Sequence, residues 1–297
     1  MSDCKKYFQV NVNKYIPDFN FEVVRPASLN NPKDESVMFV IEKNIDQANV
    51  FYSVNHCLIF WPETIDIPKD ITEKHAVYKC KNPHFSYCKF FEDNNITYYP
   101  PIEEYNLVNG AFIAKTARIG QNVKIFPGVY IGGEVEIGNN VYIGSGAKLV
   151  GEIYIGNNVV IRENAVIGAD ALTTDRNENG KAVTMPQFGS IIVEDDVQIG
   201  ANAVICRGAI DYTIIHRRAK ISSCCIIAHN VNIGADAFVA GGTVMFGSSS
   251  TGEQVLISGN SAVRNGIHIG NYAIVGMGSV VVRPVAEGTI VKGNPAK

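Results

Sequence analysis

An aliphatic residue returns at every sixth position through much of this 297-residue chain. Four residues after each of these positions stands Ala, Val or Ile, and glycine often follows the aliphatic residue directly. Ten consecutive matches to this pattern are not expected by chance, so the sequence indicates a structural repeat. The aliphatic positions of the first run are Ile113, Ile119, Ile125, Ile131, Ile137, Ile143, Leu149, Ile155, Ile161 and Ile167.

The repeat is interrupted twice. Residues 171–190 are rich in Thr, Asp, Asn and Gly, and they predict a long loop excursion that serves function or, alternatively, a disordered surface insertion. A second run starts at Val193, slips by four residues between Ile205 and Ile215, and is looser near 245–256 before it continues to Val281.

A period of six predicts a solenoid of triangular cross-section, in which each hexad forms a short strand and a corner. Three hexads complete one coil, the aliphatic side chain points inward, and Gly or Asn takes the left-handed conformation at the corner. The predicted fold class is therefore mainly β, with a parallel β-helix over residues 102–297. Residues 1–101 lack the period and predict a smaller α/β domain with a helix around 83–92, joined through Tyr98–Pro101.

Composition restricts the partners. The hydrophobic fraction of 46% and the charged fraction of 19% are typical of globular proteins, and a net charge of −3 gives no basic field for nucleic acid. No apolar run is long enough for a membrane span, and no apolar signal segment follows the first residues. The seven cysteines lack paired spacing and indicate reduced thiols, so we expect a cytoplasmic location.

Two segments carry a family resemblance: Met185-Pro-Gln-Phe-Gly-Ser through Cys206-Arg-Gly-Ala209, and Ile226-Ile-Ala-His-Asn-Val-Asn-Ile-Gly234. In order and spacing they resemble the UDP-3-O-acylglucosamine N-acyltransferases of lipid A biosynthesis, and Lys81-Asn-Pro-His-Phe85 resembles an Asn-Pro segment of that family. The resemblance implies a left-handed β-helix, a homotrimer with sites between neighbouring prisms, and transfer of an acyl group from a thioester to a nucleotide-linked amino sugar.

The resemblance also implies site residues. His229 matches the family's general base. Gly247 in Phe-Gly-Ser either matches the glycine whose N–H faces the oxyanion or is simply a corner glycine of the repeat. Asn230 either orients His229 or caps a turn, and Phe39 either stacks on a base or packs in the core. Ser222 stands where the family has the Asp that orients the base, seven residues earlier.

Further departures from the family concern the substrates. The family's second histidine aligns with Gly266, and His268, two residues later, either contacts a ligand or is a plain surface residue. The nucleobase pattern becomes Phe39, Glu42 and Ile45. These departures favour a different acceptor, such as a dTDP-4-amino-4,6-dideoxyhexose of surface-glycan or lipopolysaccharide biosynthesis.

The donor is expected as a co-substrate, with no permanently bound cofactor. The ending Val291-Lys-Gly-Asn-Pro-Ala-Lys297 resembles CoA-dependent sugar acetyltransferases, which favours acyl-CoA over an acyl carrier protein. Arg283 and Lys292 are the candidates for holding the CoA phosphates, or else they are ordinary surface charges.

Four alternatives remain beside the leading hypothesis. They are UDP-3-O-acylglucosamine N-acylation from an acyl carrier protein, sugar O-acetylation, a non-catalytic scaffold, and a metal enzyme. The γ-type carbonic anhydrases place three histidines on such a prism, but they need a His-x4-His pair that this sequence lacks. We therefore expect no metal.

Overall fold

The computed structural model describes residues 5–99 and 103–297. The described chain forms two compact units, one built from the residues up to Tyr99 together with Leu172–Phe188, and the other from the remainder. The predicted junction at 98–101 falls partly on residues 100 and 101, which lie outside the described residues.

The first unit contains a four-stranded parallel sheet and a two-stranded antiparallel pair. Its two long apolar runs, predicted from sequence, form the central strands, and their side chains are almost entirely buried because both faces of the sheet are covered. The four-stranded sheet consists of β3 (Arg25–Pro26), β4 (Ser36–Phe39), β5 (Leu58–Pro62) and β6 (Ala76–Cys80). The separate antiparallel pair consists of β1 (Val10–Asn11) and β2 (Glu22–Val23).

Two α-helices and two 3-10 segments complete the first unit. The helix predicted around 83–92 is present as α2 (Pro83–Asp93), and it begins with proline at its first position and Asn82 as a cap that accepts from the Phe85 N–H. The other segments are the 3-10 helices Val12–Lys14 and Glu42–Ser53, and α1 (Lys69–Lys74).

The excursion predicted as a loop at 171–190 is an antiparallel hairpin of β18 (Thr173–Arg176) and β19 (Ala182–Met185). Its Asp175 accepts a hydrogen bond from Asn82, the N-cap of α2, and pairs with His84 on the first turn of that helix. The predicted loop excursion is thus an ordered hairpin, and residues 172–188 group with the N-terminal unit, since their polar side chains find partners beside α2.

The second unit is the predicted β-helix, with three parallel sheets that we call faces A, B and C. The chain passes from A to B to C in each coil, and we name the corners A–B, B–C and C–A. Face B has eight strands: β9 (Arg118–Ile119), β12 (Val135–Ile137), β15 (Ile153–Ile155), β20 (Ser190–Val193), β23 (Tyr212–Ile215), β26 (Asn232–Ile233), β29 (Ser250–Thr251) and β32 (His268–Ile269).

Faces A and C are built in the same way, except that β7 joins face A antiparallel to β8. Face A contains β7 (Tyr105–Val108), β8 (Ala111–Ala114), β11 (Tyr130–Ile131), β14 (Lys148–Leu149), β17 (Val166–Ala169), β22 (Val204–Cys206), β25 (Ile226–Ile227), β28 (Val244–Met245), β31 (Ala262–Val263) and β34 (Val280–Val281). Face C contains β10 (Lys124–Ile125), β13 (Tyr142–Ile143), β16 (Val160–Ile161), β21 (Gln198–Ile199), β24 (Lys220–Ile221), β27 (Phe238–Val239), β30 (Leu256–Ile257), β33 (Ile274–Val275) and β35 (Ile290–Val291).

From Ile131 onward the aliphatic hexad positions fill the interior, as predicted, and form one continuous core along the coils. In the first coil Ile113 and Ile125 are only half-buried, and Ile119 is exposed. The stretch near 245–256 that looks irregular in sequence is a regular coil, with Met245 and Thr251 at the inward positions. The buried Thr251 hydroxyl accepts from the Gly234 N–H at 2.9 Å, so this polar core side chain is satisfied.

The four-residue slip between Ile205 and Ile215 is a widened turn at the A–B corner, between β22 and β23. Within this turn Arg207 is 2% exposed, and its Nε donates to Asp170 Oδ1 at 2.7 Å. Extra residues are accepted there because the strands on either side keep their inward register.

Candidate active site

His229 stands at the A–B corner, directly after β25, and its side chain is half-buried. The next residue, Asn230, turns the corner in the left-handed conformation with φ of 58°. Gly and Asn adopt this conformation most readily, and Ser248 adopts it at the same corner one coil later, with φ of 59°. The backbone thus points the histidine outward while the chain turns onto face B.

The imidazole of His229 has a defined partner. Its Nδ1 lies 3.0 Å from Oδ1 of Asn230. The same Oδ1 accepts a hydrogen bond from the backbone N–H of Ala209 at 2.9 Å, and the Asn230 N–H donates to the buried Thr213 hydroxyl at 2.9 Å. The surroundings of Nδ1 are therefore formed by the corner residue Asn230 and by the widened turn of the preceding coil.

Gly247 lies one coil further along the same corner, against the opposite nitrogen of the ring. A Cβ on Gly247 would lie 2.4 Å from Nε2 of His229 and 2.6 Å from its Cε1. Within residues 5–99 and 103–297, no hydrogen bond engages the Gly247 N–H. The absence of a side chain at this position leaves room at Nε2, and a free amide donor lies in the same neighbourhood.

Residues spaced by 18 stack on this corner, because faces A and B advance one coil per 18 residues from here onward. Asn265 and Arg283 follow His229 and Gly247 in that series. Arg283 is thus three coils from His229, or about 14 Å at the spacing of paired strands. The structure brings these two predicted site residues onto one line.

His268 lies beside this line, on β32 of face B. It is exposed, and its Nδ1 is 2.9 Å from the hydroxyl of Ser250 in the preceding coil. It lies at the start of β32, just after the A–B corner, but its hydrogen-bond partner is Ser250 on the surface of face B and not a residue of the corner.

Ser222 and Lys292 lie elsewhere. Both are at the C–A corner, Ser222 after β24 and Lys292 after β35, and Lys292 stacks over Gly276. Ser222 and His229 are therefore separated by a whole side of the prism, and the structure does not bring Ser222 to the ring as the family pattern suggests. The residue that contacts Nδ1 is Asn230.

Ser222 instead borders a concavity on face C with a volume of about 440 Å³. This concavity is also lined by the cations Arg162 and Lys220 and by the exposed ring of Phe238. The Lys220 ammonium donates to the Asp196 carbonyl at 2.8 Å.

Phe39 belongs to the first unit, at the end of β4. Its ring packs edge-on to His84 at 5.1 Å and tilted against Tyr87 at 4.8 Å, with half of its surface buried. Two aromatic neighbours therefore occupy part of its surface, and a role in base stacking stays a prediction. Glu42 likewise has a local partner, since it accepts from the Thr64 hydroxyl at 2.5 Å.

Sequence reasoning missed the supporting residues of the corner. Ala209 and Thr213, which hold Asn230, carry no recognisable motif, but the four-residue slip that introduces them was visible. The slip directly before the His229 coil was the available signal, because functional residues are found disproportionately often on such connections between strands.

Among the described residues, no three His, Cys, Asp or Glu side chains cluster as metal ligands would. No helix in the described part of the chain is both long enough and apolar enough to span a bilayer.

Comparisons with known proteins agree with this architecture. Residues 116–151 match the family described as bacterial transferase hexapeptide (six repeats). A solved UDP-N-acetylglucosamine acyltransferase from Bacteroides fragilis aligns with a TM-score of 0.58 and 26% identity over 65% of this chain and 73% of that one. The chain therefore has a left-handed parallel β-helix similar to the fold of that acyltransferase, and part of it matches the hexapeptide-repeat model.

The chain is also similar to two curated UDP-3-O-acylglucosamine N-acyltransferases. The protein from Coxiella burnetii is 41% identical over 117 residues, which are 39% of this chain and 34% of that protein. The protein from Francisella tularensis subsp. holarctica is 48% identical over 79 residues, or 27% of this chain and 23% of that one. The match thus spans about a third or less of the curated relatives' length.

Proposed function

We propose that the protein is an acyltransferase that moves an acyl group from a phosphopantetheine thioester to the amine of a nucleotide-linked amino sugar. The observation that supports this most is the pairing of His229 with Gly247. A ring nitrogen held beside a side-chain-free position and an unengaged N–H is the arrangement that acyl transfer to a nucleophile requires.

In the proposed reaction the amine attacks the thioester carbonyl, and a C–N bond forms. His229 accepts the proton that the amine sheds, and the Gly247 N–H donates to the developing oxyanion. The C–S bond then breaks, the thiolate leaves, and the imidazolium returns its proton to the sulfur. A positioned base of this kind contributes about 10²–10⁴ in rate.

The names of the curated relatives support a UDP-linked glucosamine as the acceptor, and so does the solved structure. The residues at the family's nucleobase positions support a different nucleotide sugar, such as a dTDP-4-amino-4,6-dideoxyhexose. Phe39 packs on α2, and the exposed Glu42 accepts a hydrogen bond from Thr64, so each of them already has a local partner within the first unit. We infer an amino sugar of surface-glycan or lipopolysaccharide synthesis, with the nucleotide decided by the assay below.

The A–B corner supports the donor assignment. Arg264 and Arg283 are exposed there, two and three coils beyond His229, and no ion pair within the described residues engages them. A phosphate held about 10–14 Å from the thioester is compatible with a pantetheine arm laid along the corner past Gly247 and Gly266. Both acyl-CoA and an acyl carrier protein present such a phosphate. Lys292, on the C–A corner, would meet this donor only from a neighbouring subunit.

The outer surfaces of faces A and C support a homotrimer. Between residues 204 and 290 their outward side chains are mostly apolar, with Ile226 at 45% and Phe238 at 44% exposure, whereas face B presents Asn232, Ser250 and His268. Two apolar faces meeting at a corner need a cover, and a C3 assembly packs face A of one copy near face C of the next. The concavity beside Ser222 would then come from the neighbour of the subunit that supplies His229.

Replacing Ile226 by Glu should therefore give monomers by light scattering, and an unchanged trimer would contradict this packing.

The test of function is thiol release from acetyl-CoA, from longer hydroxyacyl-CoA thioesters and from the corresponding acyl carrier protein, with UDP- and dTDP-linked amino sugars. Wild type is compared with His229→Ala, and His216→Ala on the B–C corner is the matched control. Release that requires an amino sugar and falls at least 100-fold only in His229→Ala supports the proposal. Release with hydroxyl acceptors alone would mean O-acylation, and no release with any pair would leave a non-catalytic scaffold.

A further inference from the structure

The hydrogen bonds around Asn230 determine which ring nitrogen of His229 carries the proton. A backbone N–H can only donate, so the Asn230 atom 2.9 Å from the Ala209 nitrogen must be the carbonyl oxygen Oδ1 and not the amide nitrogen. The same Oδ1 lies 3.0 Å from Nδ1 of His229. Since an oxygen acceptor needs a donor, the neutral ring holds its proton on Nδ1.

The consequence falls on the opposite nitrogen. With Nδ1 protonated, Nε2 carries the lone pair, and Nε2 is the nitrogen that lies against Gly247. The open side of the ring is thus the basic side. A ring with the other tautomer would present an N–H to the acceptor amine and could not remove its proton.

Asn230 is itself fixed by several contacts. Its left-handed backbone is held by the N–H bond to Thr213, a residue with 0% exposure. Its amide nitrogen lies beside Gly208, where an added Cβ would come within 3.0 Å of it. The widened turn that supplies Gly208 and Ala209 is the four-residue insertion in the repeat, so the insertion provides contacts that hold the Asn230 side chain.

We infer that Asn230, locked by the widened turn, is the positioning residue that sets the Nδ1–H tautomer of His229 and takes the place of an orienting carboxylate. In a triad of the Ser-His-Asp type, an amide in place of the acid turns its NH₂ toward the ring and selects the wrong tautomer. Here the Ala209 N–H prevents that flip. The imidazolium formed during the reaction then has a dipole beside it and no carboxylate.

Charged groups on this corner belong to the neighbouring coils. Arg207 and Asp211 lie in the widened turn, with Arg207 paired to Asp170, and Arg264 lies two coils beyond. No carboxylate within the described residues is hydrogen-bonded to the His229 ring. The inference rests on the proposed function for its catalytic consequence, but the tautomer itself can be observed without turnover.

Two substitutions separate the role of Asn230 as a corner residue from its role as the hydrogen-bond acceptor of His229. Asn230→Gly keeps the left-handed corner, because glycine adopts φ near 58° readily, but it removes the acceptor. Asn230→Asp keeps the acceptor and adds a charge. The matched control is Asn260→Gly at the C–A corner, where Asn260 has φ of 57° and the preceding and following coils already carry glycine.

The first measurement is the ¹⁵N spectrum of the His229 ring in the full-length protein. We expect the Nδ1–H form in wild type, in Asn260→Gly and in Asn230→Asp near neutral pH, and a mixture of tautomers in Asn230→Gly. A wild-type ring protonated on Nε2, or an unchanged ring in Asn230→Gly, would overturn the inference. This readout remains valid if no acyl transfer is found, so a failure of the proposed function is seen separately.

The second measurement is the pH dependence of kcat and KM. Asn230→Gly should lose about 10- to 100-fold in kcat with little change in KM, as expected when a base is misplaced. Asn230→Asp should keep most of the rate near neutral pH, while the acid limb of its profile moves to higher pH because the carboxylate stabilises the imidazolium. A profile of Asn230→Asp superimposable on wild type would contradict the positioning role.

Discussion

Replacing Gly247 by Ala tests the geometry of the site with one methyl group. The added Cβ would lie 2.4 Å from Nε2 of His229, whereas ordinary van der Waals contact begins near 3.4 Å. The ring must therefore move by about 1 Å, or leave its contact with Asn230. A displacement of this size costs about 10²-fold in rate, equivalent to about 2.7 kcal/mol of transition-state stabilisation.

The fold should tolerate this change, because the backbone of Gly247 is outside the left-handed region. The assay is kcat for thiol release with the best donor and acceptor pair, alongside the melting temperature. Gly132→Ala is the matched control, since it is also on the A–B corner and its added Cβ would meet nothing closer than 3.5 Å. An unaltered kcat in folded Gly247→Ala would refute the placement of the base at this corner, and a loss in Gly132→Ala would show that the corner as a whole is sensitive.

Two further outcomes follow from the contacts described. Burial opposes ionisation of Asp175, but the hydrogen bonds that it accepts from His84 and from backbone and amide donors hold the pKa of this carboxyl below its usual value. This contribution to stability is present above the unfolded-state pKa of about 3.9, and it is lost as the pH falls through the lower pKa of the folded state. Asp175→Asn should therefore lower the free energy of unfolding by about 1 kcal/mol at pH 7 and by much less at pH 3. Urea titrations at the two pH values would measure the difference. Arg283→Ala should raise the KM for the thioester about 3- to 10-fold without changing kcat, while an equal change in Lys292→Ala would assign the phosphate to both corners.

The coil architecture and the inward ladder were predictable because they depend on side-chain size and polarity at a fixed period. An aliphatic residue every six positions can be buried only if each hexad forms one side of a prism, and the structure confirms this even at Met245 and Thr251. The outward direction of His229 follows from the same period. The N-terminal unit was less predictable, since residues 172–188 pair with it through contacts such as His84–Asp175 that are remote in sequence.

The tertiary structure alone decided which outward residues meet. Ser222 lies seven residues from His229 but on another corner, whereas Gly247 lies 18 residues away and touches the ring. Neighbours across coils depend on how many residues each coil contains, and the insertion around Ala209 changes that number locally. The proton position on His229 depends in turn on a backbone N–H of that insertion, and a backbone donor leaves no residue-type signature in the sequence.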